Sequence, residues 1–159
     1  MAGPRRRARE IALQVLVQMD VSPELDPAAA LRLYFDHLSA DVDAEPDSIR
    51  PAGGVRAAAA AAYDAALVDE LVRGVASRRQ EIDEIVQELS RNWRLERMAM
   101  VERNVIRLAL YELKFVPAVP VNVALNEAIE LTKRYGSAEG AAFVNGLLDR
   151  AATELQIRR

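Results

Sequence analysis

Residues 95–115 read LERMAMVERNVIRLALYELKF, the longest helix-forming run in the chain. At 100° per residue, Leu95, Met98, Val101, Val105, Ile106, Leu108, Ala109 and Leu113 cover a wide apolar arc. An arc that wide predicts a helix packed on several sides, the centre of a bundle. Glu102 projects into the same arc, and Glu112 lies near its edge. A carboxylate so placed needs a partner, and an arginine of a neighbouring helix is one reading. Arg103 and Arg107 point away from the arc and extend a basic surface. The prolines of FVPAVP, residues 115–120, break the helix.

Outward from this run the pattern stays helical. Val121, Ala124, Leu125, Ala128, Leu131 and Tyr135 line one face of a helix over 121–135. Gly136 stops it, and Ser137 caps a last helix to about Leu155, with Val144, Leu147, Leu148, Ala151 and Leu155 inward. Upstream, residues 80–90 place Ile82, Ile85, Val86 and Leu89 together, and an alanine-rich helix covers 57–77. Residues 39–56 carry two prolines, paired glycines and mostly acidic charge, and read as a flexible inserted loop. Asp26 caps a helix with Pro27 at its first position, running to about Leu38. Ala8, Ile11, Ala12, Val15, Leu16 and Met19 form the buried stripe of the first helix. No segment alternates as a strand does. The expectation is an all-α chain of seven helices in one domain, 1–159, with helical sub-bundles over 4–78 and 80–156.

Composition removes several function classes. The chain has 159 residues, no cysteine and one histidine, His37. Disulfides and thiolate metal sites are excluded, no cofactor is expected, and His37 reads as a helix-end residue. There is no glycine-rich phosphate loop. Adjacent carboxylates such as Asp83 and Glu84 diverge on a helix and read as solvated faces. No apolar run is long enough to span a membrane, and the composition suits the cytoplasm. The net charge of −3 hides an asymmetry: residues 1–9 carry four arginines and no acid, whereas residues 20–70 carry eleven acids against three arginines. A basic end on an acidic protein points to a local anionic partner.

The cluster Arg5, Arg6, Arg7 and Arg9 opens the first helix, where the helix dipole disfavours cations. Docked phosphates would cancel that cost. Arg6 and Arg7 share the polar face with Glu10, Gln14, Val17 and Gln18, while Arg5 and Arg9 lie toward the core edge, Arg9 bracing the bundle. On the last helix Phe143 borders the apolar stripe, one turn after Glu139. A border phenylalanine is either partly buried core or a stacking platform for an unpaired base.

Four separated blocks, RRRAREIALQVL, LERMAMVERNVIRLALYEL, VPVNVALNEAIELTKRYG and FVNGLLDRAATEL, occur in an order and spacing that resemble the NusB family of bacterial transcription antitermination factors. The resemblance implies two packed helical bundles and no enzymatic activity. It implies a protein that pairs with the ribosomal protein NusE, binds boxA RNA as a single strand and supports RNA polymerase through ribosomal RNA operons. Family members can also self-associate as homodimers. On this chain the family's RNA-binding positions fall on Arg5, Arg6, Arg7, Arg9, Glu139 and Phe143, and its partner-binding positions on Glu102 and Arg103. Two departures stand out: Val17 replaces a residue that can be aromatic in the family, and Ala142 one that can be lysine. The enzyme alternative is a fragment equivalent to the NusB-like domain of a ribosomal RNA cytosine methyltransferase, which needs a further catalytic domain.

Overall fold

The computed structural model describes residues 3–42, 63–90 and 93–155. Among these there are seven α-helices and no strand: α1 (Pro4–Val21), α2 (Pro27–Val42), α3 (Ala65–Ser77), α4 (Arg79–Leu89), α5 (Met100–Phe115), α6 (Val121–Tyr135) and α7 (Ala138–Glu154). The chain divides into two compact units, Met1–Val72 and Arg73–Arg159.

In the first unit, Pro4 opens α1 at a position where its missing N–H costs nothing. The six stripe residues of α1 are all buried, and Leu13 joins them. Glu10 is also buried, contrary to its expected place on the polar face. The Asp26 carboxylate accepts the Ala29 N–H at 2.7 Å and caps α2. That helix runs to Val42, past the expected end at Leu38. The Tyr34 hydroxyl donates to Gln14 Oε1 at 3.0 Å, tying α2 to α1.

Of the expected alanine-rich helix over 57–77, the described part is not continuous: Tyr63 and Asp64 are not helical, and a helix follows them. Asp64 accepts the Leu67 N–H at 3.0 Å, so α3 begins at Ala65, with Leu67, Val68, Leu71 and Val72 buried. An aspartate cap is a sharper start signal than alanine content, because it satisfies a helix-end donor. The Asp64 N–H itself donates to Pro4 O at 3.2 Å, which anchors this start to the start of α1. Residues 43–62, which include most of the expected loop and the first alanines, lie outside the described residues.

In the second unit, α5 packs against α4, α6 and α7, as its wide arc requires. Val105, Ile106 and Leu110 are fully buried. The expected continuous helix over 95–115 is instead a short 3₁₀ turn, Leu95–Arg97, followed by α5 from Met100. Met98 and Ala99 between them are extended. Leu95 and Met98 nonetheless stay buried, because the turn folds them back onto the core.

Arg107 corrects a further expectation. It is 3 % exposed and adds nothing to a basic surface. Its guanidinium grips Asp83 of α4 with two bonds, Nε to Oδ1 at 2.8 Å and Nη2 to Oδ2 at 3.1 Å. It also donates to Asn104 Oδ1 at 3.3 Å. Asp83 is therefore the anchor of a forked ion pair rather than a solvated carboxylate. Nearby, Gly74 lies under the Tyr111 ring, which occupies the space a side chain at 74 would take.

Candidate nucleic-acid interface

The arginine cluster begins in the first turn of α1, which contains no acid. Arg5 is exposed, and Arg6 and Arg7 are half-buried. Arg9 is 3 % exposed, too little surface for a phosphate. The candidate phosphate-facing set thus narrows to Arg5, Arg6 and Arg7, and Arg9 belongs to the interior. Val17, further along the helix, is half-buried rather than an exposed apolar point.

The second unit gathers the other candidates around one helix start. Ser137 caps α7, its hydroxyl oxygen accepting the Gly140 N–H at 2.9 Å. Glu102, 6 % exposed on the first turn of α5, reaches this cap, with Oε1 3.5 Å from Ser137 Oγ. Among the described residues its carboxylate meets this hydroxyl, and the arginine salt bridge that was one reading of Glu102 does not form. The carboxylate lies over Gly136 and Gly140: a Cβ on Gly136 would stand 2.8 Å from Oε1, and one on Gly140 would overlap the carboxylate itself. An acidic group at the positive end of a helix is favourably placed. Glycine at both positions lets the Glu102 side chain approach that closely.

From this fixed start α7 projects Glu139 into solvent and, one turn on, Phe143, whose side chain is 37 % exposed. Ala142 beside it is exposed and supplies no charge. Arg103 follows Glu102 on α5 but turns back, donating from Nη1 to Leu95 O at 3.3 Å. Glu102 thus packs on the start of α7, the helix that carries Glu139 and Phe143, and Arg103 braces the preceding turn. The arginines of α1 belong to the first unit.

Trp93 was not singled out by its sequence. It is 51 % exposed and, with Phe143, lines a cleft of about 600 Å³. Its signal was present: it is the chain's one tryptophan, in a short break between two amphipathic helices. Gly136 and Ser137 read locally as stop and cap, and Gly140 carries no local signal of its own. Their packing against Glu102 depends on a helix 35 residues away. Among the described residues no three His, Asp or Glu side chains converge on a metal-sized site, and no helix is long and apolar enough to cross a membrane.

Arginines at one helix start and an exposed phenylalanine near another fit the class of helical nucleic-acid-binding proteins. The chain matches the NusB family over residues 6–153 and belongs to that family. It is 41 % identical to the transcription antitermination protein NusB of Myxococcus xanthus over 153 residues, 96 % of this chain and 97 % of that protein. It superposes on T. maritima NusB with a TM-score of 0.72 at 30 % identity, covering 97 % of this chain and 94 % of that one. A NusB chain crystallised with NusE and double-stranded RNA shares the fold, with a TM-score of 0.65 at 24 % identity over 94 % of this chain and 96 % of that one. The family is not enzymatic, and the match carries no methyltransferase domain.

Proposed function

We propose that the protein is a cytoplasmic, RNA-binding transcription antitermination factor that acts with NusE. Its RNA is the boxA element of ribosomal RNA operons, read as a single strand within the RNA polymerase antitermination complex. The observation that carries this reading is the side chain of Phe143, held partly out of the core on a helix whose start is locked by Glu102. A ring so presented offers a stacking surface to an unpaired base. Glu139, being acidic, suits base amino groups rather than phosphates. Arg5, Arg6 and Arg7 supply sequence-independent attraction to phosphates from the first unit. Glu102 and Arg103 lie at the partner-facing end of α5, where Glu102 sets the shape that NusE meets.

Titration of labelled boxA RNA, with and without NusE, tests the reading. Tighter binding with NusE is expected, with single-stranded boxA preferred over a duplex of the same sequence. Phe143→Ala is expected to cost about 1–3 kcal/mol of RNA affinity, the usual worth of one base–aromatic stack. Equal binding of single strand and duplex, unaffected by Phe143→Ala, would refute the stacking role.

A further inference from the structure

The cleft beside Phe143 has a charge pattern unlike that of an RNA site. Its walls are two exposed aromatic side chains, Trp93 and Phe143. Gly146 also lines the cleft, and a Cβ there would meet nothing within 4 Å. Two carboxylates, Glu88 near the end of α4 and Glu154 at the end of α7, also line the cleft, and both are exposed. Its cation among the described residues, Arg150, is committed: Nη1 donates to the backbone oxygen of Leu89 at 2.6 Å. That oxygen belongs to the last residue of α4, the negative end of the helix dipole. Among the described residues the lining side chains therefore carry a net negative charge.

The Trp93 wall is held from below. Ser90 Oγ donates to Val86 O at 2.6 Å and lies 3.1 Å from Trp93 O, while the Trp93 N–H donates to Ser90 O at 2.9 Å. These bonds fix the backbone from which the indole projects.

We propose that this cleft receives an arginine or lysine side chain of a protein partner. Charge complementarity selects the occupant. A guanidinium or ammonium gains from aromatic faces and from carboxylates together, whereas an RNA phosphate would be repelled by Glu88 and Glu154. The inference goes beyond the RNA reading while sharing one residue with it, Phe143, which is both exposed and part of the cleft lining. A basic protein segment could then dock beside bound RNA.

Because Trp93 is the only tryptophan, its fluorescence reports directly on the cleft. The full chain is titrated with a short peptide, acetyl-Gly-Arg-Gly-Arg-Gly-amide, and with the matched peptide in which glutamine replaces arginine. The arginine peptide is expected to change Trp93 emission saturably, and the glutamine peptide is not. The double variant Glu88→Gln/Glu154→Gln, on two exposed helix positions, is expected to weaken arginine-peptide binding about tenfold and to leave boxA RNA affinity unchanged. Equal responses to the two peptides, or full binding by the double variant, would overturn the proposal. So would competition of short single-stranded RNA with the arginine peptide, read by Trp93 emission, which would assign the cleft to a base. Failure of the RNA reading shows instead as lost boxA binding by the unaltered protein, so the two are separable.

Discussion

Glu102 occupies the space that any side chain at Gly140 would need. The carboxylate of α5 and the first turn of α7 are thus one packed unit, 38 residues apart in sequence. Gly140→Ala must displace either the carboxylate or the helix start, at a cost of about 1–3 kcal/mol for overpacking. Adding Glu102→Ala to Gly140→Ala should recover part of that loss, since it removes the clash. A double-mutant cycle by urea unfolding measures the coupling. Additive effects would show that the two residues do not share the space.

The α1 arginines should act through charge. Replacing Arg6 and Arg7 with Ala is expected to weaken boxA binding and to lower the salt slope by about 0.7 for each phosphate that is no longer neutralised. Helical circular dichroism and Tm should stay nearly unchanged. RNA affinity measured from low to moderate salt checks this, and an unaltered slope would remove these arginines from the interface.

Asp83 should matter for stability and not for RNA. Asp83→Ala leaves the guanidinium of Arg107 buried without its forked partner. The expected loss is about 3 kcal/mol, the lower end for breaking a buried pair, because Asp83 is partly exposed. Denaturant unfolding measures it, and boxA affinity of the folded variant should match that of the unaltered protein.

Glu81 predicts a pH effect. The Lys114 ammonium, bonded to it at 2.7 Å, holds its carboxyl below the usual glutamate value, against partial desolvation and with help from Arg78. A carboxyl with a lowered folded-state pKa stabilises the fold at pH above the ordinary glutamate value. That contribution is lost as pH falls through the lowered value. Lys114→Met should move the Glu81 titration, followed by NMR, back toward the ordinary value and remove this part of the acid sensitivity.

The helix order was legible because burial stripes, proline breaks and caps are local. Ile106, Leu131 and Leu148 could be placed in the core from spacing alone, and Asp26 and Ser137 could be placed as caps. The start of α3 is masked in the sequence by alanines that extend upstream of the Asp64 cap, which sets it. The break at Met98 and Ala99 was hidden because apolar spacing continues through it, so periodicity could not distinguish a 3₁₀ turn from a helix. Among the site residues, Phe143 was legible as a stripe-border aromatic. For Trp93 the sequence offered only its singularity and its place in a short break, because exposure of an aromatic there depends on what packs beneath it.

By itself, the sequence determined an all-helical chain, the family to which it belongs, and the helices that carry Arg5, Arg6, Arg7, Glu102, Glu139 and Phe143. Only the tertiary structure decided how the charged residues are used. Arg9 and Arg107 are buried, Arg103 is pinned to a backbone oxygen, and Glu102 answers to Ser137 and two glycines. Helix periodicity assigns a side chain to a face. Whether that face meets solvent, an ion-pair partner or another helix end depends on neighbours distant in sequence, which no local pattern encodes.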